Sequence, residues 1–270
     1  MKPEVSASTE RSNYGNKLTG ELSSAALILI IMTMIMIIVA LFGIIAATAT
    51  LVLATPEGPT INSVSNTTRT PATAALLNTS GGTITTIRIN ATTQNSRWKA
   101  FVGNVSGTLT LDDASASSIY QWSVISVSGE VYATRKSATV SWSAIACANI
   151  THITNEENNL SQTNPNDNIS KTFSSINHTQ FYVGTTLIAN NTCRSIHTYV
   201  NDGNQSLDFQ EILLYDGSND TNGNLVYTTT FQSRTTGYDG NTYDFQLIVP
   251  ENGAPTWTSS TAYYFYVELT

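Results

Sequence analysis

The sequence predicts a mainly β protein in which a long hydrophobic α-helix precedes a β-sandwich, and three observations carry that prediction. The first is a charge gap: no Asp, Glu, Lys or Arg falls between Glu21 and Glu57, and the run from Ala26 to Ala54 is apolar on every side. The second is the recurrence, after Gly82, of short alternating or β-branched runs separated by turn residues. The third is composition. Charged residues are 11% of the chain, against about 25% in ordinary soluble proteins. Polarity comes instead from 60 Ser or Thr and 23 Asn between Thr55 and Thr270.

In order along the chain, residues 1–22 form a short polar leader or cytoplasmic segment carrying Lys2, Arg11 and Lys17. Residues 23–54 are expected to be one hydrophobic helix, transmembrane or at the core of a filament. Having no polar face, it lacks the periodicity of an amphipathic helix. At 1.5 Å per residue it would reach roughly 48 Å, where about 30 Å of hydrocarbon needs only ~20 residues. The small residues Ala40, Gly43 and Ala47 are spaced to let helices approach closely. Lys and Arg lie on the N-terminal flank and are absent from the other until Arg69, so the N-terminus is placed in the cytoplasm and the rest outside.

Residues 55–82 read as a Thr/Ser/Pro linker and residues 83–270 as the β-domain. Strands are expected at TITTIRI from Thr83, TLTLDD from Thr108, IYQWSVISV from Ile119, GEVYATR from Gly129 and TVSWSAI from Thr139. Further ones are FYVGTTLI from Phe181, IHTYV from Ile196, QEILLYD from Gln210, NLVYTTTF from Asn224, YDFQLIV from Tyr243 and AYYFYVEL from Ala262. In the last, Tyr263, Phe265, Val267 and Leu269 alternate with Tyr264, Tyr266 and Glu268, as in a half-buried strand. Packing two sheets face to face is the economical way to bury so many strands. The stretch Asn149 to Lys171 is too polar for a sheet and reads as a long glycan-bearing loop.

The acceptor pattern N-x-S/T occurs at Asn66, Asn78, Asn90, Asn104, Asn149, Asn159, Asn168, Asn177, Asn190, Asn204 and Asn219, and nowhere before the apolar run. Such sites are used on translocated, accessible chain, which agrees with an external domain. Cys147 and Cys193 both lie in that part, where an oxidising environment favours a disulfide over two buried free thiols. Nine Lys or Arg against 16 Asp or Glu between Thr55 and Thr270 leave no basic surface for nucleic acid.

Catalytic chemistry finds little support. His152, His178 and His197 are the only imidazoles, lack metal-ligand spacing and read as exposed loop residues. Neither a G-x-S-x-G elbow nor a phosphate-binding G-x-x-x-x-G-K-[ST] loop is present. Asp216, Ser218, Asp220 and Asn222 alternate as Ca²⁺ ligands can, without the Gly and Glu of an EF-hand, so a polar hairpin loop is the stronger reading. Asp112-Asp113 and Glu156-Glu157 are adjacent pairs that would point to opposite faces of a strand. The expectation is a non-enzymatic protein with no catalytic residue, cofactor or metal.

The run KLTGELSSAALILIIMTMIM, Lys17 to Met36, followed by a Ser/Thr/Asn-rich β-domain, resembles archaeal type IV pilin-like proteins and archaellins. The segments GNVSGTLTLDD, GEVYATR, YVNDG, YDFQLIVP and YYFYVEL look like a group of archaeal exported β-rich proteins to which no activity attaches. The first resemblance implies leader cleavage after Gly20 and an external sandwich of Ig-like or pilin-like form. It also implies a structural subunit of a cell-surface filament, held by its membrane before assembly and partnered by copies of itself in a helical homopolymer. The alternative is a monomeric membrane-anchored surface glycoprotein or adhesin.

Overall fold

The structure, a computed structural model, describes residues 31–36, 55–62, 65–123, 128–217, 223–254 and 258–270. The chain divides into two compact units, residues 1–51 and 52–270.

The expectation of a long apolar helix is corrected. Only residues 31–36 of that run are described; they are helical and all exposed. Six residues rise about 9 Å, and among the described residues no helix is long and apolar enough to cross a membrane. Uniform apolarity carries no helical period, so the sequence run by itself does not establish the length of a helix. What the described chain shows is mainly β structure.

Fourteen strands are described. They are β1 (Trp98–Gly103), β2 (Thr108–Asp112), β3 (Ser118–Ser123), β4 (Gly129–Thr134), β5 (Ala146–Cys147), β6 (Phe181–Val183) and β7 (Thr186–Ile188). After these come β8 (Ser195–His197), β9 (Gln210–Tyr215), β10 (Leu225–Thr230), β11 (Thr235–Thr236), β12 (Thr242–Tyr243), β13 (Phe245–Pro250) and β14 (Tyr264–Leu269). Two helices, α1 (Ile150–Asn159) and α2 (Ile169–Thr172), interrupt the series.

A six-stranded antiparallel sheet forms the middle, in the order β14-β4-β10-β9-β5, with β8 also paired to β9. Both of its faces are covered. On one, Ala133, Leu213, Leu225 and Tyr227 pack with Leu247 and Val249 of the β1–β13 ribbon and with Ile153, Leu160, Ile169 and Phe173 of the helical stretch. On the other, Tyr132, Ile212, Leu214 and Val226 meet Phe181, Val183 and Ile188 of the β6–β7 hairpin. Sheets therefore do pack face to face, as expected, but with a third layer beyond the central sheet. Double coverage explains why β9 reads QEILLY, buried along nearly its whole length, where a half-buried strand would alternate.

Three other sequence expectations change. Residues 149–171 are not one loop: Ile153, Glu156 and Glu157 of α1 and its C-cap Leu160 recur at helical spacing, and all four are buried. Carboxylates on the buried stripe disguised that periodicity. Asn149 caps the helix, its side chain accepting from His152 N while His152 Nδ1 accepts from Asn149 N. TVSWSAI supplies a 3-10 turn, Trp142–Ala144, instead of a strand. TITTIRI, residues 83–89, is exposed and has no strand partner among the described residues.

Candidate functional site

The expected surface features can now be placed. Of the acceptor asparagines, Asn66, Asn78, Asn90, Asn104, Asn149, Asn159, Asn177, Asn190 and Asn204 are exposed, Asn168 is half-buried, and Asn219 lies outside the described residues. In the side-chain hydrogen bonds of Asn66, Asn149, Asn168 and Asn190, Oδ1 does the accepting. Asn66 accepts from Lys99 Nζ at 2.9 Å, Asn149 from His152 N at 3.0 Å and Asn168 from Lys171 N at 2.9 Å. Glycans attach through Nδ2, so an acceptor role for Oδ1 is chemically compatible with a sugar on the same residue. Ala40, Gly43 and Ala47 lie outside the described residues.

Cys147 and Cys193 form a disulfide across 46 residues of sequence, tying β5 to the segment that leads into β8. His178 organises the same corner. Its Nε2 accepts from Thr192 N at 3.1 Å and Cys193 N at 2.9 Å, so the ring proton sits on Nδ1, which donates to Thr179 O at 2.8 Å. This histidine is buried, not an exposed loop residue, and it supplies the acceptor that the buried Cys193 amide needs. His152 is half-buried and stacks on Tyr215, with ring centroids 3.6 Å apart; His197 is also half-buried.

The Asp216 loop is only partly described, since Ser218, Asp220 and Asn222 fall outside the described residues. Asp216 itself forms a buried ion pair with Lys136. Among the described residues no group of three or more His, Cys, Asp or Glu could hold a metal ion.

The adjacent acidic pairs do not converge. Asp113 turns the β2–β3 hairpin by accepting from Ser115 N and Ser117 N, bonds that hold its carboxyl below the usual range. Glu156 takes Arg135 Nη1 at 2.7 Å and Gly223 N at 3.1 Å, whereas Glu157 accepts from Ser170 N. Buried Glu211, whose carboxyl is pushed well up by burial, reaches across the layers to accept from Ile248 N at 2.9 Å.

Carboxylates do converge at a place that sequence reasoning missed. Antiparallel register sets Glu130 of β4 directly opposite Glu268 of β14, both nearly out of solvent. Gly129 fixes this register: its φ is +131°, and a Cβ there would lie 1.9 Å from Glu268 O. Tyr132 Oη donates to Glu268 Oε2 at 2.9 Å, and Gly184 N, at the β6–β7 turn, lies 3.0 Å from Oε1 and 3.1 Å from Oε2. Glu130 Oε2 has no partner among the described residues. Burial first, and then Glu268, push the Glu130 carboxyl up to about 8; burial also raises Glu268 and Tyr132. The pair can retain a proton at neutral pH. The described open cleft of about 570 Å³, lined by Arg97, Glu251 and Ser/Thr hydroxyls, includes neither residue. Only strand register joins them, and two isolated glutamates 138 positions apart carry no local signal of it.

Compared with known protein families, curated proteins and solved structures, the chain matches none.

Proposed function

We propose that the chain is a structural subunit of an archaeal cell-surface filament, with its apolar run inside the assembly and its sugar-bearing β-domain outside. One observation carries this reading. Nearly all the described acceptor asparagines are exposed on a disulfide-closed β-domain, and that domain follows a stretch without a single charge from residue 22 to 56. Water-accessible sugar sites and an uncharged run suit a molecule whose two parts occupy different solvents. The small residues Ala40, Gly43 and Ala47 would admit close neighbours within the assembly.

Negative-stain microscopy of sheared surface material, probed with antibody to the β-domain, tests the proposal. Labelled filaments are expected, and Gly43→Leu should reduce them while leaving membrane-bound protein unchanged, because Leu favours insertion but separates backbones. Label confined to membrane vesicles would overturn it in favour of an anchored glycoprotein.

A further inference from the structure

The β2–β3 ribbon is a structure in want of a partner. All of its residues are exposed, and among the described residues it pairs with no other strand. Register puts Leu109 opposite Trp122 and Leu111 opposite Tyr120, so these four side chains share one face, with Tyr120 and Trp122 rings 4.8 Å apart. They are 39–60% exposed. A two-stranded ribbon alone is marginal in water and needs a third strand or a covering layer.

The same chain carries a segment with the complementary deficiency. Residues 83–91, TITTIRINA, are exposed throughout and hydrogen-bond to no strand among the described residues. Their alternation suits a strand: Thr83, Thr85, Ile87, Ile89 and Ala91 would share one face, and Ile84, Thr86, Arg88 and Asn90 the other. Charge is complementary as well. No acidic residue lies between Glu57 and Asp112, whereas the ribbon and its turn carry Asp112 and Asp113 as their only charges. Arg88 makes no ion pair among the described residues. Ribbon and segment do not pair with each other within one chain.

We infer that residues 83–91 of one copy add to an edge of the β2–β3 ribbon of a second copy, completing a three-stranded sheet between neighbouring β-domains. Ile87 and Ile89 then extend the apolar face of Leu109, Leu111, Tyr120 and Trp122. On the opposite face Arg88 lies beside Thr110 and Asp112. Asn90 also falls on that polar face, so a sugar there stays clear of the apolar contact. The inference deepens the filament proposal by naming a contact between subunits, yet stands on observations in the β-domain alone.

The test uses full-length chain dispersed in mild detergent, mixed from ¹⁴N- and ¹⁵N-labelled preparations, with a benzophenone amino acid replacing Thr85. Light-to-heavy crosslinks from position 85 to peptides within 108–123 are expected. Ile87→Glu with Ile89→Glu should lower their yield by more than about tenfold, because two apolar side chains leave the interface. All altered positions are exposed, so the fold does not depend on them. Crosslinks confined to single chains, crosslinks elsewhere only, or a yield unmoved by the double substitution would overturn the inference. Antibody-labelled filaments without the 85-to-ribbon crosslink would sink it alone. The crosslink without filaments would sink only the filament proposal.

Discussion

A carboxyl group kept from water holds its proton more tightly in the fold than in the unfolded chain, and at Glu130 this ties stability to pH. Its ordinary value of 4.5 is raised to about 8, by burial before the neighbouring Glu268. With the folded value above the unfolded one, the contribution is fully present below about 4.5 and is lost as pH rises through about 8. Glu130→Gln removes the titration while keeping the shape. Chemical denaturation should find the substituted protein more stable than wild type at pH 9, by on the order of a few kcal/mol, with the difference shrinking towards pH 5. Equal stability of the two proteins across that range would show that Glu130 ionises freely.

Helix α1 brings two demands to one side chain, since Asn149 is both its N-cap and the first residue of an N-x-S/T site. The demands separate chemically. Asn149→Asp keeps the capping oxygen and removes the sugar site, whereas Asn149→Ala removes both. Thermal unfolding of unglycosylated protein should show Asn149→Ala less stable by about 1 kcal/mol and Asn149→Asp near wild type. Asn149→Ala as stable as wild type would mean that the cap contributes nothing.

This helix also marks the boundary of what the sequence made legible. Strands with strong β-branched or aromatic runs, such as β4, β9, β10, β13 and β14, were readable because their own residues carry the pattern. The expected residues 149–171 loop hid a helix because two of the residues on its buried stripe, Glu156 and Glu157, are acidic, and only the fold brings them the partners, Arg135 and Ser170 N, that satisfy them. Short β5, β11 and β12 have too few residues to show any period. Cys147 and Cys193 could be paired by count alone. Glu130 and Glu268 could not, because nothing but tertiary register brings them together.

At the scale of the whole molecule, the disulfide closes a loop containing both helices and the β6–β7 hairpin. In the chain-entropy model a closure of this length stabilises by about 4 kcal/mol. Cys193→Ser should therefore lower the unfolding temperature markedly, and alkylation of native wild-type protein should detect no thiol. Reaction of two thiols without reductant would refute the pairing. Three-layer packing explains why the loss should be felt globally: the bond anchors the layer that contributes Phe181, Val183 and Ile188 to one core.

Where the chain first joins the β-domain has a mechanical meaning. Glu57 exchanges two backbone hydrogen bonds with Val267, at 3.0 and 2.8 Å, on the edge of β14. From there the described residues, 58–62 and 65–94, are all exposed as far as Asn95, whose side chain bonds to Asp167 just before β1 begins. Tension arriving from the N-terminal side thus loads this two-bond clasp on the edge strand before it reaches the inner strands of the central sheet. Once that clasp and the exposed side-chain hydrogen bonds from Lys99 to Asn66 and from Arg69 to Thr92 open, the stretch between residues 58 and 94 pays out, on the order of 100 Å of extended chain. The load would be absorbed by stretching a tether while the layered core stays folded, and relaxation would let Glu57 find β14 again.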